Sequence, residues 1–442
     1  MEEKEDKKSG PDPEEEPWDV SGDPAEDPDT IQAIRDIIKA ESKKKPKTIT
    51  RTIIPGLIHL IQNENCIKYL VMENEILNVH ETVKIDNQLY RPKQELPFYI
   101  PGNDIMDDLK EIDGKLLLDD TMKFIKKYLE MPHEDDYLIL ALWIFHTYLI
   151  EKAKATPILY FHGVKETGKT RAGEVLFELA YKCERLTAPT EASLFRTAHY
   201  FKTSLIIDEI RLWGKDGNKE VADLIKSRYK RGLKVCRIEM RNKGEDQLEY
   251  FDVFAPLCIS TTESMPDIIE SRCLRFVMQT NVSQDVEADI DLDEAYNLRK
   301  RFTIFRANRY NKELPDPGSI TRGRMNEITM PLYRILTLID IEKQQQFKDF
   351  VSLVEMNKAD EEGESLEAEI TVALKEIPGD VKFVSYKDLT ATVNENKDDP
   401  VSSYLVACRI KRLGFSLFRS YKGRGFIPDP ELIKKLIIKY NT

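Results

Sequence analysis

The run Gly163-Val164-Lys165-Glu166-Thr167-Gly168-Lys169-Thr170 satisfies the pattern G-x-x-x-x-G-K-[ST] without a mismatch. Backbone N–H groups of such a loop, together with the N-terminus of the helix that follows it, cradle phosphate oxygens. Lys169 is then placed to reach the β- and γ-phosphates of a nucleotide, and Thr170 to coordinate Mg²⁺. Thirty-nine residues after Lys169, the apolar segment Ser204-Leu205-Ile206-Ile207 ends in Asp208-Glu209. An acid at the carboxyl end of a parallel strand lies where the ligands of such sheets gather, so Asp208 is a candidate metal ligand. Glu209 is suited to polarise an attacking water by accepting its proton. ATP and Mg²⁺ are the implied cofactors, and an Asp-Glu pair here favours hydrolysis over phosphate transfer.

These residues need a strand before the loop and a helix after it. The apolar residues Ile158-Leu159-Tyr160-Phe161 predict the strand, and the run through Leu176 and Leu179 predicts the helix. Further strands are expected over 205–207 and 257–260, alternating with helical stretches, which is the pattern of a parallel-sheet α/β domain. Residues 293–356 read as mostly helical. Upstream, residues 66–100 alternate in short strand-like segments, and after Gly114 helices are expected over 116–129 and 136–150.

Composition narrows the function classes. Of 442 residues, 41% are hydrophobic and 33% charged, which fits a globular chain with room for several domains. The apolar run over 137–150 is too short to cross a bilayer and predicts a buried core helix. The N-terminus shows no signal-peptide pattern, and the six cysteines form no C-x-x-C pair, so zinc and a disulfide framework are not expected. A reducing cytoplasm is the compartment this predicts. The net charge of −12 is uneven. Residues 1–30 hold thirteen Asp and Glu against three Lys and are expected to be a disordered tail. Residues 401–442 hold nine Lys and Arg against Asp429 and Glu431, which points to a polyanionic partner near the C-terminus.

Taken together, the loop and the Asp208-Glu209 pair resemble those of the AAA+ ATPases, and within them the replicative helicases of the superfamily 3 and minichromosome-maintenance kind found on plasmids, phages and cassette elements. Four further segments are similar to parts of that family. Residues 235–241 and 247–251, separated by Asn242-Lys243-Gly244-Glu245-Asp246, look like a β-hairpin inserted before the sensor strand. The resemblance implies a hairpin that grips DNA in a central channel, with Arg241 and Lys243 at its tip. Two cations do not by themselves define a DNA contact, so a hairpin on the outer surface is the alternative. The strand ending at Thr261-Thr262 resembles the sensor 1 strand; where the family most often has Asn, this chain has Thr262. The segment Ser271-Arg272-Cys273-Leu274-Arg275-Phe276 resembles the family's Ser-Arg-Phe segment. This implies that Arg272, with Arg275 as the alternative, reaches the ATP of a neighbouring subunit. Thr321-Arg322-Gly323-Arg324 resembles the start of the lid helix, with Arg324 as the sensor 2 residue. Local pairing of these arginines with acids such as Glu270 is the competing account.

The C-terminal segment has its own logic. A helix from Ser365, a short strand over 381–384, a helix capped by Ser385, a third helix beginning at Asp398 or Asp399 before Pro400, and a basic hairpin resemble a winged-helix domain. Arg409 and Arg412 on the third helix and Lys422 and Arg424 on the wing are the candidate DNA contacts. A winged helix used for protein contacts is the alternative.

The expected organisation is an acidic tail (1–30), an N-terminal α+β adaptor (31–115), an α/β AAA+ core with a P-loop, a parallel sheet and a helical lid (116–356), a linker (357–364) and a winged helix (365–442). The resemblance implies an ATP-dependent DNA helicase or translocase acting as a ring, expected as a hexamer by likeness alone, in replication of a mobile element, plasmid or virus. Its partners would be single- and double-stranded DNA, further copies of the chain, and a primase, polymerase or other replication protein. An origin initiator or loader, or an ATP-regulated DNA-binding protein without processive unwinding, are the rival readings. A nucleotide kinase is disfavoured because residues 171–207 offer no acceptor-binding insert.

Overall fold

The computed structural model describes residues 32, 48–187, 189–208, 219–240, 246–281, 283, 285–363, 365–378, 381–395, 397, 400–420 and 423–440. The spacing of Ile31, Ile34, Ile37 and Ile38 predicts a helix from Thr30, which lies outside the described residues save Gln32. Two compact units divide the chain: one gathers 1–50 with 82–91, the other 51–81 with 92–442.

Six short strands come first: β1 (Ile49–Thr50), β2 (Leu57–Asn63), β3 (Cys66–Glu73), β4 (Ile76–His80), β5 (Val83–Ile85) and β6 (Gln88–Arg91). In the smaller unit, β5 and β6 form a hairpin and β1 pairs with β6. In the larger unit, β2, β3 and β4 form an antiparallel meander. The β3–β4 turn holds Asn74 and Glu75 at φ +49° and +66°, and the β5–β6 turn holds Asp86 and Asn87 at +48° and +64°. Two successive positive φ values are what a two-residue hairpin turn requires.

The core of the larger unit is a five-stranded parallel sheet. Its strands are β7 (Ile158–His162), β8 (Cys183–Leu186), β9 (Ser204–Asp208), β12 (Leu257–Thr261) and β13 (Cys273–Val277), in spatial order β13-β7-β12-β9-β8. Between β9 and β12 in the chain, β10 (Lys234–Met240) and β11 (Asp246–Asp252) form a separate antiparallel hairpin. Helices cover the sheet, so β7, β9 and β12 are apolar along most of their length rather than alternating. The helix Glu134–Tyr148 is buried at every residue from Asp136 to Tyr148, which is how an apolar run of this length is used when it is not a span. No helix among the described residues is long and apolar enough to cross a membrane.

Helix Leu292–Arg309 ties the meander to the core. The buried guanidinium of Arg306 donates to the carbonyls of Ile58 at 2.8 Å and Leu57 at 3.0 Å and pairs with Glu151. Nearby, the Lys182 ammonium is buried beside the Tyr181 ring, 5.1 Å from its centroid. Burial first, and then the charge of Arg306, pull its pKa down to about 7. A base whose folded pKa lies below its unfolded value binds fewer protons folded than unfolded, so stability rises with pH from about 7 toward the lysine value of about 10.4. Lys182→Met is expected to raise the melting temperature at pH 7 and to flatten that rise, as thermal melts from pH 6 to 10 would read.

Three helices follow the sheet: Leu292–Arg309, Gly323–Ile339 and Gln344–Gly363. The last of these corrects the linker expected over 357–364, because the helix continues through it to Gly363. Acidic residues do not break a helix, and Glu361 on this stretch pairs with Arg275 of β13.

The C-terminal module has its own core of Ile370, Leu374, Leu389, Val406, Ile410 and Phe426. Helices Leu366–Lys375, Tyr386–Val393 and Ser403–Arg412 are followed by a hairpin of β15 (Leu417–Ser420) and β16 (Gly423–Phe426), with β14 (Val384–Ser385) on the other side of β16. A last helix, Pro430–Tyr440, packs back on the first. Ser385 caps the second helix, accepting from the Asp388 N–H at 3.1 Å. The third helix begins later than expected. Ser402 is its cap, accepting from the Leu405 N–H at 3.2 Å, and Asp398 and Asp399 lie outside the described residues. The expected strand over 381–384 contracts to Val384–Ser385, the stretch that has β16 as a partner.

Candidate nucleotide site

The phosphate-loop residues follow β7 directly, and Lys169 opens the helix Lys169–Leu179. Gly168 caps that helix at φ +77°, a left-handed conformation that suits glycine. A Cβ on Gly163 would stand 2.7 Å from the Met278 carbonyl oxygen, so the loop needs glycine at both ends of its closed turn. Lys165, Glu166, Thr167, Gly168, Lys169, Thr170 and Thr262 line a cleft of about 400 Å³. The Lys169 ammonium is buried, donating to the Val164 carbonyl and, at 3.2 Å, to Thr167 Oγ1.

Sheet order explains why residues so far apart in the chain meet. β12 lies between β7 and β9, pairing in parallel with both, so the ends of all three strands open on the same edge. Asp208 ends β9 there, and Thr170 Oγ1 donates to its Oδ1 at 3.3 Å. Ser260 of β12 donates to the Lys169 carbonyl at 3.1 Å, fixing the first turn of the helix. Thr262 follows β12 into the cleft. Glu209 lies outside the described residues.

Two residues absent from the sequence expectations complete this edge. Arg185 of β8 donates to Asp208 Oδ2 at 2.9 Å and to Glu174 at 3.2 Å. Burial works against its charge, but Asp208 and Glu174 outweigh that and raise its pKa. Nothing in Cys183-Glu184-Arg185-Leu186 signals this, since the meeting depends on β8 lying beside β9. Asn281 is the other. Its Oδ1 is buried without a hydrogen-bond partner among the described residues and would sit 3.1 Å from a Cβ on Gly168. An open loop backbone, a buried ammonium, a hydroxyl beside a carboxylate, and an unsatisfied amide fit a nucleotide with its divalent cation. Such a cation would be held by Thr170 and Asp208 and would supply charge neutralisation at the phosphates.

The two candidate trans residues lie elsewhere. Cys273 pairs with Ile158 and Val277 with His162, so Arg272 sits at the far end of the sheet from its own loop. Four residue steps along the strand separate those ends, about 13 Å. Arg272 stacks on Tyr229, its guanidinium carbon 4.8 Å from the ring centroid. Arg324, at the start of helix Gly323–Ile339, stacks on the same ring at 5.0 Å and also donates to the Tyr229 hydroxyl and to Glu327. Arg324 thus joins Arg272 and not the loop of its own chain. Arg275 is committed to two carboxylates, Glu270 at 2.8 Å and Glu361. Its charge, after burial, also lowers the pKa of His162 at the end of β7.

Of the candidate DNA residues, Arg241, Lys243 and Lys422 lie outside the described residues. The hairpin expected around the first two is present as β10 and β11. One face packs through Phe251 onto Phe195, ring centroids 4.6 Å apart, and the other exposes Ile238, Leu248 and Tyr250. On the C-terminal module, Arg409 pairs with Glu367 of the first helix at 2.9 Å, so it is engaged within the module's own fold. Arg412 and Arg424 are exposed. Arg419, which the sequence expectations left out, stands directly opposite Arg424 across the β15–β16 hairpin.

The fold and site define an α/β protein whose parallel sheet carries a phosphate-loop sequence and an aspartate on one edge. No protein-family model matches the chain, and no curated protein matches it. Among solved structures, the C-terminal region of NrS-1 aligns over 84% of this chain and 96% of its own, at 13% identity and a TM-score of 0.37. The active helicase Cch of SCCmec type IV aligns over 92% of this chain and 84% of its own, at 13% identity and 0.38. The JCV helicase aligns over 54% and 65%, at 16% identity and 0.27. Likeness this low assigns nothing by itself, and the functional reading rests on the residues of this chain.

Proposed function

We propose that the protein is an ATP-driven DNA helicase or translocase that works as a ring in replication of a mobile element, plasmid or virus. The observation that carries this reading is the division of the site. Lys169, Thr170 and Asp208 gather at one end of the sheet, while Arg272 and Arg324 gather at the other. A guanidinium about 13 Å of strand away from its own loop serves a phosphate best on a neighbouring copy. ATP then binds between subunits, with Glu209 as the base, Thr262 aiding alignment of the water, and turnover coupled to movement of the β10–β11 hairpin along single-stranded DNA. The test is strand displacement on forked DNA with ATP, alongside particle mass with a slowly hydrolysed analogue. A ring-sized particle that displaces the strand supports the reading; a monomer that hydrolyses ATP without unwinding overturns it.

The C-terminal module is read as a winged helix on duplex DNA. Support comes from Arg419 and Arg424, since like charges directly opposite across a hairpin are unfavourable unless an anion lies between them. Arg419→Ala and Arg424→Ala are each expected to weaken duplex binding similarly across sequences and to lower the salt-dependence slope by about 1. Fluorescence anisotropy at several salt concentrations reads both, and an unchanged slope removes the wing from the interface.

A further inference from the structure

Tyr229 is buried, at 4% exposure, yet its ring meets two guanidinium groups drawn from separate parts of the chain. Its backbone is held firmly. The Tyr229 carbonyl accepts from the Thr156 N–H at 2.8 Å, two residues before β7 begins. The preceding Arg228 is buried and donates to the carbonyls of Leu194, Thr203 and Pro256. The backbone that carries the ring is therefore fixed, and both arginines are placed against it.

Around it, the charge balance is left open on one side. Arg272 donates to the Ile268 carbonyl and to Ser271, its Nε is buried without a partner, and no carboxylate pairs with it among the described residues. Arg324 and Lys230 share a single acid, Glu327, at 2.5 Å and 2.6 Å. Among the described residues three cations face one carboxylate, a balance that suits further negative charge. An aromatic face can hold two guanidinium groups close together, and its geometry fixes their spacing.

Resting on the ring reading above, we propose that Tyr229 is a positioning residue that sets Arg272 and Arg324 as a pair for the triphosphate bound to the neighbouring copy. The ring carries both side chains, and the hydroxyl adds a hydrogen bond to Arg324 that is secondary to the stacking. Because its carbonyl is tied to the segment entering β7, the same residue links this edge to the strand that ends at its own phosphate loop.

The test is steady-state ATP hydrolysis with single-stranded DNA. Tyr229→Leu is expected to lower kcat by about 10- to 100-fold, as misplaced catalytic groups do, with KM for ATP within about twofold. Tyr229→Phe, which keeps the ring, is expected to stay within about threefold of wild type. Arg324→Lys keeps the charge on a partly exposed side chain but loses the planar stack, and is expected to lose kcat in the same way even should Tyr229→Leu fail to fold. Mixing Tyr229→Leu with Lys169→Ala subunits, whose arginine edge is intact, should restore turnover above either alone. Wild-type kcat in both Tyr229→Leu and Arg324→Lys overturns the proposal. So does restoration of Arg272→Ala by Lys169→Ala subunits without restoration of Tyr229→Leu, which leaves the ring reading standing. Failure to restore Arg272→Ala as well removes the ring reading and the Tyr229 assignment with it.

Discussion

Lys169→Ala is expected to lower ATP hydrolysis by about 10³-fold or more, the scale seen when a preorganised charge that meets a developing anion is removed. Lys169 is buried at the mouth of the helix Lys169–Leu179, held by the Val164 carbonyl and Thr167. The neighbouring cation Lys165 is exposed on the loop and has no such fixed position. Arg185 is already paired with Asp208 and Glu174. Alanine is a good helix former at that position, so the fold should remain and the melting temperature should shift by only a few degrees. Asp208→Asn is expected to give a similar loss while keeping an acceptor for Thr170, because it removes charge from the cation site rather than a hydrogen bond. Phosphate release with and without single-stranded DNA measures both. Equal turnover in wild type and Lys169→Ala would show that the cleft is not where ATP is split.

The strand, loop and helix around Gly163 to Thr170 were legible in the sequence because they follow one another in a single local run. Asp208 was legible for the same reason, at the end of an apolar strand. What joins them was not. β12 enters the sheet between β7 and β9, and only this order brings Ser260 and Thr262 to the loop. β8 and β13 are short and carry Glu184, Arg185 and Arg275 among their apolar residues, so neither shows a clean strand pattern. Asn281 and Tyr229 act through neighbours distant in the chain, which periodicity does not report. An acidic run such as 360–364 suits a linker as well as a helix, and what decides between them, Glu361 meeting Arg275 of β13, is a contact distant in the chain.

Arg272 and Arg275 are three residues apart, and the structure gives them different partners. Arg275 lies within β13, its guanidinium divided between Glu270 and Glu361, and these two acids raise its pKa despite burial. It ties the edge strand to the helix Gln344–Gly363 and has little capacity for another anion. Arg272 precedes the strand, meets no carboxylate among the described residues, and rests on an aromatic ring beside Arg324. Arg272→Ala is therefore expected to lower kcat by about 10³-fold, the scale of an arginine supplied across a subunit interface. ATP binding at equilibrium should change little, because the loop that holds the nucleotide is intact. Arg275→Ala should keep most of its turnover but lose about 1 kcal/mol of stability, since the part-buried Glu270 loses a charged donor while the exposed Glu361 is left to solvent. Comparing kcat, nucleotide affinity and melting temperature for the two variants separates the roles. A catalytic loss in Arg275→Ala with wild-type turnover in Arg272→Ala would reverse the assignment and place the trans contact within the strand.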